Sequence, residues 1–397
     1  MLFLCFLDML SYAMLSPIIT LLFLEGPLTI LPDNSTSRHF LFGVFLSIFS
    51  FIQIFSVPFW GKLSIQISKK NILKISFLGN SFSYLICGMG VLNKNINLLF
   101  MGVILAGLTG AVIPTINAII SYESSESMWT RNYSLVGSTI GIAFILGPPI
   151  TGLLMDIVPT ENISVGIYIL CAFISIINFL IVEFALKTQN IQKKTRTPRS
   201  IPFPFREIFL LDSKLKTILG FQFCIYLGWY FFIKFFQVYL IETLKFTDKQ
   251  SCFGIAFLGL CCATWQAIRY FKNPNIYRYK YMFPSAVFLM STSIVSFIFI
   301  NSYLSAMFAI MVLSFAYSML IPSTISMILN QGQLKNEIKT SVFQSVQSIA
   351  KILAPLISGF TISYTSWATA FLGTIVISLA GFLVLCSPKT FRLASKA

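Results

Sequence analysis

Apolar residues fill this chain in long runs separated by short polar stretches. A helix of about 20 apolar residues crosses the hydrocarbon core of a bilayer. Twelve runs are predicted as such helices, over 2–24, 39–60, 71–92, 97–120, 134–157, 164–186, 217–241, 251–269, 282–300, 304–328, 341–363 and 366–386. Internal Pro17, Pro58, Pro114, Pro148, Pro322 and Pro355 do not veto them, because neighbouring helices and hydroxyls re-satisfy the freed backbone groups in a membrane. Three runs carry polar positions at helical spacing, so that each set shares one face. They are Asp8, Tyr12, Ser16 and Thr20 in the first, Gln222, Tyr226, Tyr230, Lys234 and Gln237 in the seventh, and Gln344, Gln347, Lys351 and Ser358 in the eleventh.

The pattern repeats. GIAFILGPPITG at 141–152 and SIAKILAPLISG at 348–359 share seven positions at an offset of 207 residues, among them Pro148/Pro355 and Gly152/Gly359. Ile113-Pro114-Thr115 echoes Ile321-Pro322-Ser323, and Phe42-Gly43 echoes Phe253-Gly254. One helical unit is written twice in the same direction, an arrangement typical of alternating-access carriers whose site lies between the halves. The expected architecture is an all-α membrane protein with a six-helix bundle over 1–186, a basic linker over 187–216 and a second six-helix bundle over 217–397.

Composition agrees with lipid as the solvent. Of 397 residues 56% are hydrophobic and 10% charged, against roughly a quarter charged in soluble domains. The net charge of +15 does not indicate nucleic acid, because of where it falls. The loops 61–74, 121–133, 187–216, 269–281 and 329–340 and the tail after 387 hold 22 of the 28 basic residues, and the opposite loops hold only Arg38, Lys94, Lys245 and Lys249. Lysine and arginine accumulate in cytoplasmic loops, so both termini are expected inside. The linker's charges suit anionic lipid head groups. The eight cysteines all lie in apolar runs without metal-ligand spacing, which argues against a disulfide framework or metal centre. No cleavable signal peptide is expected, since the first run lacks a basic start and is too long. Asn34-Ser35-Thr36 and Asn162-Ile163-Ser164 are sequons without an assigned role, and His39 is expected at a membrane interface.

Charges inside a bilayer are costly and therefore informative. Asp8, Lys234 and Lys351 lie deep in their runs, each on its polar stripe, and Lys351 replaces Phe144 of the first repeat. Three wet stripes imply one water-accessible chamber, in which Asp8 exchanges protons while Lys234 and Lys351, with Tyr12, Gln222, Tyr226, Tyr230, Gln237 and Gln347, hold substrate or form charge pairs.

The same residues carry a resemblance. Asp8 followed by Pro17, Gly61-Lys62-Leu63-Ser64 followed by Lys69-Lys70, Gly102 with Gly107-Leu108-Thr109-Gly110-Ala111, and Gly141, Gly147-Pro148 and Gly152 resemble motifs of the major facilitator superfamily. The likeness is nearest to its twelve-span, tetracycline-efflux-like drug:proton antiporters. It covers about 150 residues of the first half, and the second half follows through the repeat. It implies two bundles rocking about a central site, with Gly61 and Lys62 in a loop latch and Gly141, Gly147, Pro148, Gly152 and Pro355 forming close-packed, bent helices. The chain departs from the family at Ile65 and Ser68, where the latch has an acid and a glycine, and at Val103, where the fourth span has an arginine.

The expected function is secondary transport of a small organic solute, as proton-coupled efflux. An organic anion or zwitterion symporter or facilitator, and a non-transporting sensor, remain open. No Ser/His/Asp set, metal cluster or phosphate loop suggests an enzyme, and no cofactor is expected. Expected partners are the solute, protons and lipid, for a monomer in a plasma or bacterial inner membrane.

Overall fold

A computed structural model of the chain describes residues 1–24, 28–31, 38–64, 66–123, 129–185, 212–271, 279–330, 336–362 and 368–386. Every regular element among the described residues is helical, and each predicted apolar run is occupied by helix. The elements are α1 (Leu2–Phe23), α2 (Arg38–Leu63), α3 (Lys69–Leu92), α4 (Ile96–Thr109), α5 (Val112–Glu123), α6 (Trp129–Ile157) and α7 (Thr160–Ala185). They continue as α8 (Ser213–Ile233), α9 (Asp248–Phe271), α10 (Tyr279–Ser296), α11 (Tyr303–Asn330), α12 (Asn336–Ile362) and α13 (Ala368–Cys386). Ten helical stretches among the described residues are long and apolar enough to cross a membrane, and Phe283–Ser296 and Leu372–Leu383 are shorter apolar ones. The protein is a multi-pass membrane protein. Large apolar side chains such as Phe82, Phe184, Phe288 and Phe308 point outward, which lipid accommodates and water does not. Residues 187–211 of the linker, the first sequon and the tail after 387 lie outside the described residues.

Two predicted helices are interrupted. The run 97–120 breaks at Gly110 into α4 and α5. Pro114 has no N–H to give Gly110 O four residues earlier, and Gln53 Nε2 of α2 donates to that oxygen instead, at 3.1 Å. The run 217–241 is α8 as far as Ile233. It then breaks at Lys234 and Phe235, makes a short turn over Phe236–Val238 and ends in a π-turn over Tyr239–Thr243. Elsewhere helix starts follow local capping. Ser68 Oγ accepts from Asn71 N ahead of α3, and Asn95 Oδ1 accepts from Asn97 N and Leu98 N ahead of α4, the ordinary duty of such residues.

Contacts divide the chain into one unit of Met1–Ile201 with Thr247–Leu260, and another of Pro202–Phe246 with Cys261–Ala397. In the first, α1 packs on α6 and α7, and α3 packs on α4 and α7. In the second, α8 packs on α12 and α13, and α10 packs on α11 and α13. The helix-to-helix hydrogen bonds repeat with the sequence. Thr151 Oγ1 donates to Met14 O at 2.8 Å, and its repeat mate Ser358 donates to Phe231 O at 3.4 Å. Ser83 donates to Gly102 O and Ser293 to Ala309 O. Hydroxyls reaching a neighbouring helix's carbonyl are a recurring tie in lipid, where water offers no alternative.

Candidate functional site

In the first unit α1 brings Asp8 to the centre of three helices. The side chain is 6% exposed, and Asn80 Nδ2 of α3 donates to its Oδ1 at 3.2 Å. Thr109 Oγ1, at the end of α4, reaches Asn80 Oδ1 at 3.5 Å and Leu105 O at 2.9 Å. Tyr84 of α3 lies within electrostatic reach of Asp8. Asp8 thus has a neutral amide as its hydrogen-bond partner, backed by a hydroxyl. Tyr12, one turn on, is partly exposed with its ring edge-on to Phe144 at 6.0 Å. Thr20 is buried and turned back to Ser16 O. The stripe on α1 therefore divides, with Asp8 and Thr20 inward and Tyr12 at the surface of its unit.

In the second unit α12 lays Phe343, Gln347 and Lys351 along α8 at four-residue intervals. Gln347 Nε2 donates to Tyr230 Oη at 3.2 Å, and Lys351 Nζ stands over the Tyr230 ring, 5.9 Å from its centre. Tyr226 stacks on Tyr230 with centres 5.9 Å apart and 13° between planes, and Phe343 meets Tyr226 edge-on. Beside them Trp229 stacks on Tyr317 of α11 with centres 3.9 Å apart. The repeat gives this cluster a counterpart. The repeat mate of Lys351 is Phe144, whose ring meets Tyr12 edge-on in the first unit, while Lys351 stands over the Tyr230 ring in the second. Such a contact is worth about 0.5–2 kcal/mol, more as water is excluded.

Gln222, one turn before Tyr226, is fully buried, and Gln237 is buried in the turn beyond the break in the seventh run. Lys234 forms the C-cap of α8 at that break. The second unit also has a groove of about 350 Å³ lined by Lys216, Leu219, Gly220, Phe223, Val346 and Ile349. It holds none of the tyrosines or Lys351, and its apolar walls suit lipid better than a polar solute. Asp8 belongs to one unit, and Lys234 and Lys351 belong to the other.

The motif residues have structural duties. A Cβ on Gly147 would lie 2.5 Å from Ala13 Cβ and 2.9 Å from Met14 N, so α1 and α6 touch there backbone to backbone. A Cβ on Gly152 would lie 3.3 Å from Cys252 Cβ, and one on Gly259 would meet Phe144. One end of this α6–α9 seam is closed by an ion pair between Lys249 and Asp156. Gly141 is half-buried on α6, and Pro148 and Pro355 are buried inside α6 and α12. Gly61 is exposed with open space around it, and the Lys62 side chain lies outside the described residues. The next two lysines of that motif tie helix ends together. Lys69 Nζ donates to Ala118 O and Lys70 Nζ to Glu183 O, while Lys74 pairs with Glu183 at 2.8 Å.

Sequence reasoning missed Asn80, Trp229, Tyr317 and Phe343, and named Thr109 only within the fourth-span motif. Asn80 was legible as a polar interruption of the third run. The rings were not, because 41 phenylalanines and 15 tyrosines hide any specific aromatic.

Residues 1–335 match the family model described as Major Facilitator Superfamily. The tetracycline resistance protein, class B, of Escherichia coli is 25% identical over 214 residues, covering 54% of this chain and 50% of that one. The class H protein of Pasteurella multocida is 30% identical over 151 residues, covering 38% and 36%. The chain thus spans half or less of these tetracycline relatives. The quinolone resistance protein NorA of Staphylococcus aureus is 22% identical over 358 residues, 88% of each chain. Among solved structures, the human organic anion transporter MFSD10 superposes with a TM-score of 0.70 at 18% identity, covering 96% and 97% of the two chains. The nucleoside transporter NupG gives 0.69 at 14% identity over 99% of each. At these identities the structural likeness concerns the fold.

Proposed function

Because the chain belongs to the Major Facilitator Superfamily, we propose that it is a secondary carrier that exports a small organic solute in exchange for protons by alternating access. In this proposal twelve helices cross the membrane with both termini in the cytoplasm. The duplicated six-helix halves are joined by 187–216, and the chain acts as a monomer in a plasma or bacterial inner membrane. Asp8 is the proton-coupling group. The observation that carries this is its burial against a neutral amide, without an ion pair among the described residues. A carboxylate withdrawn from water needs a proton or a countercharge, and a carrier can supply the first on one side and release it on the other. Lys351, Tyr230, Tyr226 and Gln347 bind the solute through a cation, two ring faces and an amide. The resistance proteins similar to this chain support an exported, drug-like solute.

Proteoliposome flux with and without an imposed pH gradient tests the proposal. The Asp8→Asn variant is expected to keep solute exchange at equal pH while losing acceleration by the gradient. Gradient-driven flux in that variant equal to the parent's would remove Asp8 from the coupling step.

A second reading, an organic anion symporter or facilitator, is favoured by Lys351 standing over the Tyr230 ring, which sets a cation on an aromatic shelf. In that case Lys351→Gln raises the KM for anionic solutes far more than for neutral ones, and flux of the parent is indifferent to the pH gradient.

A further inference from the structure

Among the buried side chains of α7 that lack an answering group, Ser175 and Asn178 share one face. Asn178 is fully buried, and neither its Nδ2 nor its Oδ1 has a hydrogen-bond partner among the described residues. Ser175, one turn away, is 1% exposed and its hydroxyl is equally unanswered. Leaving such groups unmatched in a buried site is costly, so two together on one face ask for an occupant.

Their height in the bundle identifies it. α1 and α7 run antiparallel, with Cys171 Sγ donating to Ser11 O. Ser175 lies four residues beyond Cys171, and Asp8 lies three residues from Ser11 in the same direction along the bundle. At about 1.5 Å of rise per residue the two stand at nearly one level. Asn178 stands roughly 4.5 Å further toward the Met1 end. Side chains of a helix lean toward its own N-terminus. Asp8 therefore leans toward the level of Asn178, and Asn178, on the opposite-running helix, leans back toward Asp8. Cys171, Ser175, Asn178 and Val182 form one row on α7. Its far end is sealed by the apolar cluster of Leu4, Cys5, Phe77 and Val182.

The geometry points to a site for a small monovalent cation between α1, α3 and α7, with the Asp8 carboxylate, the Ser175 hydroxyl and the Asn178 side-chain carbonyl as oxygen donors. Water would answer the hydroxyl and the amide but leave the carboxylate without countercharge. One carboxylate with neutral hard oxygens suits an alkali ion of sodium size. Calcium sites collect several carboxylates, and soft metals choose thiolate or imidazole. The ionisable groups within electrostatic reach of Asp8 are Cys5 on its own helix and Tyr84 on α3, with Tyr12 and Cys171 near Tyr84 in turn. α2, α5 and α6 present none at this level among the described residues. The nearest cation on α3, Lys74, lies six residues from Asn80 and is paired with Glu183. The ion and a proton then compete for Asp8.

The site extends the carrier proposal at its coupling residue, and its test needs no flux, so either can fail alone. Sodium-22 binding to the purified full-length protein at pH 8, and thermal unfolding in sodium against choline chloride, measure it directly. One saturable ion per chain is expected, with melting raised by about 4 °C at a hundredfold excess over Kd. Asp8→Asn abolishes both signals. Asn178→Leu and the milder Ser175→Ala weaken binding by tenfold or more. Acidification weakens binding in the parent, by up to tenfold per pH unit, as the proton takes the ion's place. Equal melting in the two salts, or a sodium increment that survives in Asp8→Asn, overturns the proposal. So does an Asn178→Leu protein stabilised alike in sodium and choline, since that result marks the buried amide as an unfilled flaw.

Discussion

Oxidation of a Gly152→Cys variant joins α6 to α9 through the native Cys252 and stops solute exchange, and reduction restores it. The expectation follows from distances. A Cβ at position 152 falls 3.3 Å from Cys252 Cβ and 3.7 Å from its Sγ, close to the separation a disulfide spans with little backbone movement. The seam around it is long, from Phe144 against Gly259 through Gly152 against Cys252 to the ion pair of Asp156 with Lys249. A carrier that alternates access must change its helix contacts within each cycle, and small-residue contacts are the natural ones to open because they have few interlocked side chains to disengage. Cross-linking is read on gels after cleavage at a protease site placed in the 187–211 segment, where the two halves stay joined only when the bond has formed. An oxidised, fully cross-linked protein that transports at the parental rate would show that this seam stays closed throughout transport.

Gly147→Ala has the second large effect, on folding. The added methyl would sit 2.5 Å from Ala13 Cβ and 2.9 Å from backbone atoms of Ala13 and Met14. Helix backbone cannot step aside as a flexible side chain can. Overpacking of this kind costs about 1–3 kcal/mol, and the loss is expected in melting temperature and in the yield of monodisperse protein. Ala13→Gly removes one of the clashing atoms, so the double variant recovers part of the loss, a coupling that only neighbours show. Melting of Gly147→Ala equal to the parent's would mean that α1 and α6 approach less closely than described.

The helical, membrane-spanning character was legible because lipid leaves a chain few options. Apolar runs of fixed length must form helices, and their order could be counted directly. The duplication was legible for a related reason. Thr151 and Ser358 both reach a carbonyl of the first helix of their half, and a bond of that kind constrains the residue and its spacing. What stayed hidden was direction. Asp8, Tyr12, Ser16 and Thr20 share a helical stripe, yet Asp8 is buried against Asn80 while Tyr12 reaches the surface of its unit. A stripe is broad, and α1 meets α6 on one flank and α7 on the other, so four-residue spacing alone cannot say which flank claims each side chain. The breaks were half visible. Gly110 and Pro114 stand at the first, although the sequence reading runs one helix through them, and no glycine or proline stands at the second interruption, Lys234 and Phe235.

That interruption changes what the seventh run can do. A continuous helix behaves as a stiff rod, and a push at one end is felt at the other. Parted at Lys234 and rejoined through a π-turn, with the Tyr239 hydroxyl fastened to Phe297 O just beyond α10, the run becomes two levers sharing an articulation. The outer lever can tilt while the tyrosine shelf on the inner one keeps its place.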